Sequence, residues 1–165
     1  MQCLFFRHGI AIERQAWDGQ EQDRPLTAKG AARTRESGRG LLNMGVTPTQ
    51  ILSSPLARAR ETAAILRPLI RSKPKIQICA ELDPAAAPRT LFLLLDGLPS
   101  DAVVLCVGHE PHLSMAAGIL LTGKPCSGLS LKKAGACLIH VEKSVRPAMG
   151  RLEWWLTAAQ LRALA

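Results

Sequence analysis

Apolar residues along the chain come in short runs, separated by longer stretches in which they recur at helical spacing. Gln2–Phe6 is a compact apolar run and predicts a buried strand. Thr27 then stands where an N-cap belongs, and a helix is expected from there to about Asn43, ended near Gly45. Gln50–Ser53 predicts a second strand. Ser54-Pro55 follows as N-cap and first helical residue, and Leu56, Ala59, Ala63, Leu66 and Leu69–Ile70 form the apolar stripe of a second helix. Lys75–Cys79 alternates as a third strand, and Pro88 opens a helix to about Leu95. Ala102–Val107 is a fully apolar fourth strand, and His112–Leu121 a further helix. Ala136–Val141 and Arg151–Leu156 predict two late strands, with a short helix near Ala158–Leu164.

Strands separated by helical patterns indicate an α/β fold with a largely parallel sheet covered on both faces, a three-layer αβα sandwich. The two late strands have no helix between them and are expected to pair antiparallel at an edge. No repeat, linker or low-complexity tract divides the chain, so residues 1–165 are read as one domain. Open sheets of this class bind ligands beyond the carboxyl ends of their strands, so the chemistry is sought there.

Composition narrows the choice. The chain is 47% hydrophobic and 21% charged, which argues against disorder. No apolar run approaches the roughly 18–20 residues that span a bilayer. Met1–Phe6 is cut off by Arg7 and has neither a basic leader nor a cleavage site, so a cytoplasmic, membrane-free protein is expected. Cys3, Cys79, Cys106, Cys126 and Cys137 show no paired spacing and read as reduced thiols. The net charge is +8, and residues 1–75 hold 13 cations against 6 carboxylates, so the surplus lies almost wholly in that half. Such a surplus suits a nucleic acid or a phosphorylated substrate equally. Aromatic residues are only 4% with no Tyr, which leaves little to stack bases, and no nucleic-acid partner is expected.

Three strand ends carry the candidate chemistry. Arg7-His8-Gly9 follows the first strand, Ser53-Ser54-Pro55-Leu56-Ala57-Arg58 the second, and Gly108-His109-Glu110-Pro111 the fourth. Singly, each has a plain structural reading: a solvated cation, a hydrogen-bonded loop histidine, or an arginine on a helix surface, as Arg58 and Arg60 could each be. Together, Arg7, His8, Arg58 and His109 make a cationic pocket suited to a phosphoryl group, since guanidinium matches phosphate oxygens in a fork and stays charged. A helix N-terminus at Ser54–Leu56 would add backbone donors. His112 is expected near this site, and His140 within a strand. Trp17 lies in the segment 10–24, read as a mobile loop that could rim the pocket. Trp154 and Trp155 point to opposite faces of their strand, so one is expected in the core. His109-Glu110-Pro111-His112 lacks the spacing of a zinc helix.

Arg-His-Gly, the run Ser-Ser-Pro-Leu-x-Arg-Ala-x-x-Thr (Ser53–Thr62) and Gly-His-x-Pro (Gly108–Pro111), in this order, resemble the histidine phosphatase superfamily. The short length, with Arg24-Pro25-Leu26-Thr27-x-x-Gly30 and Glu81-Leu82-x-Pro84, is most similar to its phosphohistidine phosphatase branch, the SixA type. The resemblance covers about residues 1–141. It implies a phosphoglycerate mutase-like fold and a cofactor-free phosphatase with no bound metal. His8 would be the nucleophile, and Arg7, Arg58 and His109 would clamp the phosphoryl oxygens, with Gly9 as a further substrate contact. Glu81, or Asp83 two residues on, would be the general acid. Ile10 departs from the acidic residue that relatives often carry there. The implied partner is a phosphohistidine-containing protein or a small phosphorylated molecule, met by a monomer.

Overall fold

The computed structural model describes residues 1–165. Six strands form one sheet: β1 (Gln2–Arg7), β2 (Gln50–Ser53), β3 (Ile76–Ile78), β4 (Val103–Gly108), β5 (Ala136–Val141) and β6 (Gly150–Leu156), in the order β3-β2-β4-β1-β5-β6. β3, β2, β4 and β1 run parallel, while β5 and β6 add antiparallel to one edge. This is the mostly parallel, doubly covered sheet of the phosphoglycerate mutase-like fold.

Strand alternation divides the core in two. Leu4 and Phe6 of β1 face one side, with Ile51, Leu105 and Leu138; Cys3 and Phe5 face the other, with Leu52, Val104 and Cys106. Helices α1 (Ala28–Asn43), α2 (Ala57–Leu66) and α5 (Ala158–Ala163) cover the first side. Helices α3 (Pro88–Asp96) and α4 (His112–Thr122) cover the second. Each fully buried Leu or Phe contributes about 1.5–3 kcal/mol, which makes this double core the main source of stability.

The first helix shows how sequence sets these distances. Thr27 caps it by accepting a hydrogen bond from the Gly30 amide at 2.9 Å, and Gly45, with φ of +81°, turns the chain out after its end. Its buried face is small: Gly30, Thr34, Ser37, Gly38, Gly40 and one large residue, Leu41. A Cβ on Gly40 would lie 1.7 Å from the Leu161 carbonyl oxygen, so only glycine lets α1 approach α5 this closely.

Three expectations are corrected. The helix after β2 begins at Ala57, not Pro55: Leu56 is extended (φ −69°, ψ 138°) and stands at the N-cap, with no side-chain cap. Segment 10–24 is no free loop but two 3₁₀ turns, tied down by an Ala11–Leu26 bridge and by Arg24 donating to the Ile12 carbonyl. Trp154 and Trp155 are both half-buried, one against each core, where a single core tryptophan was expected. A register shift between Leu138 and Ile139 interrupts the β5–β6 pairing beside them. All five cysteines are free, and burial pushes the thiols of Cys3 and Cys79 up to about 12 and about 11. No helix is long and apolar enough to cross a membrane.

Candidate active site

Register brings the motifs level. In the β1–β4 ladder Arg7 stands opposite Gly108, and in the β2–β4 ladder Ser53 stands opposite Val107. The chain therefore leaves the sheet at one height in three adjacent strands, carrying His8, Ser54 and His109 with it. The His8 amide donates to the Gly108 carbonyl at 3.0 Å, and the Ser54 amide to the Val107 carbonyl at 3.0 Å, extending the ladders by one residue each.

Above these ends lies a cleft of about 240 Å³, whose walls include Arg7, His8, Arg58 and His109. The four sequence-predicted residues thus come together. The His8 and His109 rings are 5.0 Å apart between centroids. His8 Nδ1 is 2.7 Å from the Gly9 carbonyl, an acceptor only, so that nitrogen carries the proton and Nε2 keeps its lone pair. Burial, reinforced by Arg58, Arg7 and Lys133, lowers the His8 pKa to about 3 in spite of that hydrogen bond. Burial likewise takes His109 to about 2, with His8 and the arginines adding to the effect. A neutral imidazole with a free nitrogen, set among guanidinium groups, can attack phosphorus.

Hydrogen bonds between the motifs fix the geometry. Thr62 accepts from the Gly9 amide at 3.1 Å and donates to the Arg58 carbonyl at 2.8 Å, tying α2 to the loop that holds His8. His109 Nε2 lies 2.7 Å from the Ser54 hydroxyl, which also accepts from the Leu56 amide at 3.3 Å. Arg7 donates to the Leu131 carbonyl at 2.7 Å. The Glu110 carboxylate next to it accepts from the Leu131 amide and the Ser114 hydroxyl.

Gly9 differs from its expected role. Its amide is used by Thr62 and its carbonyl by His8, and a Cβ there would lie 2.3 Å from Thr34 Oγ1. It holds the His8 ring through its carbonyl, and its amide is taken by Thr62. Trp17 is not on the cleft wall: its indole donates to the Gln20 carbonyl at 2.8 Å, and its ring covers Gly19. Glu81 is not on the wall either. It sits in a 3₁₀ turn whose next residue, Leu82, is fully buried in the core. Asp83 is electrostatically closer, since its charge acts on both Arg58 and His112. His112 is buried at the start of α4 with neither ring nitrogen bonded, and it does not line the cleft. Arg60 is exposed and does not line the cleft.

Several wall residues were not anticipated. Glu13, Arg14, Arg24 and Lys133 line the cleft. Just behind them Glu21 pairs with Arg14 (3.3 Å), Arg24 (2.8 Å) and Arg58 (3.2 Å), which sets the Arg58 guanidinium in place. Arg14 and Arg24 belong to the same segment as Glu21, but Arg58 reaches it from α2, 37 positions away, and that link leaves no local sequence signal. No group of three or more His, Cys, Asp or Glu side chains is arranged to hold a metal; the positive charge facing the cleft is that of Arg and Lys.

The neutral histidines have a consequence for stability. In the unfolded chain each would take a proton near 6.5, whereas in the fold His8 does so only near 3 and His109 near 2. Between those values the unfolded state binds more protons, so stability falls as pH falls below about 6.5, by about 1.4 kcal/mol per pH unit for each imidazole. Urea midpoints measured from pH 7 to pH 5 should drop accordingly, and His8→Asn/His109→Asn should flatten the slope. A midpoint constant over that range in the unaltered protein would contradict the buried neutral pair.

The family model for the histidine phosphatase superfamily (branch 1) matches residues 3–83. An uncharacterised protein of Picosynechococcus sp. is 38% identical over 137 residues, 82% of each chain. Among solved structures, the protein histidine phosphatase SixA complexed with tungstate superposes with a TM-score of 0.85 at 22% identity, covering 98% of this chain and 99% of that one. A mycobacterial glucosyl-3-phosphoglycerate phosphatase superposes with a TM-score of 0.68 at 18% identity, covering 94% and 98%. The last two likenesses concern the fold. With the family model over the half that holds His8 and Arg58, and a relative matched across most of its length, this chain belongs to the histidine phosphatase superfamily, branch 1.

Proposed function

We propose that this phosphatase removes the phosphoryl group from phosphohistidine in a partner protein, through a phosphorylated His8. His8 Nε2 attacks phosphorus, the Nε2–P bond forms, and the bond from phosphorus to the substrate nitrogen breaks. Water then attacks the phosphohistidyl group, giving inorganic phosphate and neutral His8. Arg7, Arg58 and His109 hold the equatorial oxygens, where charge is spread in the transition state. The observation that carries the reading is the His8 imidazole itself, with Nδ1 tied to the Gly9 carbonyl and Nε2 free inside the arginine clamp.

The choice of leaving group rests on the carboxylates. Glu81 is off the cleft wall, and both Glu110 oxygens are engaged by Leu131 and Ser114. An alkyl phosphate needs a proton delivered to its bridging oxygen. A phosphoimidazole can take one from solvent on its distal ring nitrogen and leave as neutral imidazole. With both Glu110 oxygens engaged and Glu13, the other carboxylate on the wall, beside Lys133 at 3.9 Å, the site suits a P–N bond better than a P–O bond.

Hydrolysis of a small phosphomonoester is the second reading. Glu13 favours it, since its carboxylate lines the cleft mouth, 3.9 Å from Lys133. Ranking kcat/KM over phosphohistidine peptides and small phosphoesters separates the two. Phosphohistidine peptides should lead by about a hundredfold or more. A phosphoester at the head of the ranking, with activity lost in Glu13→Gln, would establish the second reading instead.

A further inference from the structure

Beside the catalytic cleft, and sharing Arg7 and Lys133 with it, lies a second depression of about 320 Å³. Arg33 of α1, Arg162 of α5 and the pair Lys132–Lys133 complete its charged lining. Five cations from four chain segments converge on it, no carboxylate is among its lining residues, and the other three, Ile10 among them, are apolar.

This charge is poorly compensated. Lys133 is 3.9 Å from Glu13, and Arg162 is 3.6 Å from the exposed Glu36. Arg33 and Lys132 have no ion-pair partner. Gathering like charges without countercharge is unfavourable, and an anion seated among them would relieve it.

The lysine pair is also rigidly indexed to the nucleophile. Ala134, with φ of 59°, closes the turn, and its amide lies 3.1 Å from the Arg7 carbonyl and 3.2 Å from the His8 carbonyl. The Gly135 amide donates to the Lys132 carbonyl at 2.8 Å, and the Gly135 carbonyl accepts from the Arg7 amide at 3.0 Å. The backbone that carries Lys132 and Lys133 is therefore held beside His8.

We propose that this depression is a subsite for acidic side chains flanking the phosphorylated residue of a protein substrate. The proposal rests on the reading of His8 as phosphoryl acceptor from a partner protein. Its cations are dispersed over an open trough and not focused in one fork, which fits several carboxylates better than one compact phosphate. The depression shares Arg7 and Lys133 with the cleft, so a polypeptide lying across both would set residues a few positions from the phosphorylated one over Arg33 and Lys132, at about 3.3 Å of advance per residue. Arg33 belongs to the charge surplus of the first half of the chain, which thereby gains a use beyond the phosphoryl clamp.

The test uses two unphosphorylated peptides, one rich in Glu and its Gln counterpart, with binding followed by fluorescence anisotropy. The wild-type protein should bind the Glu peptide about tenfold more tightly, and about 0.5 M salt should erode the difference. Arg33→Glu/Lys132→Glu should abolish it. Lys132→Glu alone, at an exposed position, should weaken it should the double variant unfold. Equal binding of the two peptides by the wild type, or a preference kept by the variants, overturns the subsite. A small bisphosphate that displaces the Glu peptide at lower concentration than unlabelled Glu peptide overturns the protein source. In turnover, phosphohistidine peptides with and without flanking Glu should differ about tenfold in kcat/KM, and the variants should bring that ratio to one. Charge-dependent binding with neither phosphopeptide turned over supports the subsite and defeats only the phosphohistidine reading.

Discussion

His8→Ala is expected to lower kcat by at least about 10⁴-fold on a phosphohistidine substrate, because the other unpartnered ring nitrogen in the clamp, His109 Nδ1, is fully buried. His8→Asn should do the same. Its amide can still donate to the Gly9 carbonyl, which His8 Nδ1 bonds at 2.7 Å, so the loop keeps its tie while the unpartnered Nε2 is lost. The Asn variant thus separates chemistry from architecture. Both variants should still bind vanadate or phosphate within a few-fold of wild type, since Arg7, Arg58 and His109 remain. With labelled phosphohistidine protein, the wild-type enzyme should yield an acid-labile phosphoryl group on His8, and the variants none. Turnover by His8→Asn within about tenfold of wild type would end the nucleophile assignment.

The acid side of the rate profile follows from the same nitrogen. Burial holds His8 neutral down to about pH 3, so its protonation does not limit kcat/KM between pH 7 and pH 5. A rate that falls over that range does so through the substrate's own ionisation or through the loss of stability described above.

What the sequence made legible was whatever lies at a strand end within a contiguous motif. Arg7-His8-Gly9, Arg58 and His109 could be placed because a parallel sheet delivers its carboxyl ends to one edge, and the register of β1, β4 and β2 does so to within a residue. Relations between motifs could not be read. The link from Thr62 to Gly9 spans 53 positions and that from His109 to Ser54 spans 55, and neither leaves a local trace. The position of Glu81 off the cleft wall is illegible in the sequence for a similar reason. β3 has only three residues, and the turn after it is set by burial of Leu82, so the side chain before that anchor leaves the cleft while Pro84 reaches it. Trp17 was expected at the rim on the view that segment 10–24 is loose. Its anchoring by Arg24 depends on Glu21 and the Ile12 carbonyl, contacts that hydropathy does not encode.

Arg58→Ala is the second large effect, expected at about 10²–10³-fold in kcat/KM, the usual loss when one donor to a transition-state oxyanion is removed. Arg60→Ala, two residues on, should change it less than about threefold. Composition cannot tell these arginines apart, but the fold does. Arg58 is buried in the first turn of α2 with its guanidinium at the cleft, while Arg60 faces solvent. Arg58 also arrives already oriented. Its Nη1 is held by the Glu21 carboxylate at 3.2 Å and by the Glu21 carbonyl at 3.2 Å, which leaves the rest of the fork for phosphate oxygens without further loss of side-chain freedom. Arg58→Lys should therefore rescue little, since an ammonium keeps the charge but cannot bridge Glu21 and a phosphoryl group at once. The loss should fall mainly in kcat, because the developing charge of the transition state is what the fork meets, and Arg7 still attracts the ground-state dianion. Equal losses from Arg58→Ala and Arg60→Ala would count against a clamp built on the buried Arg58.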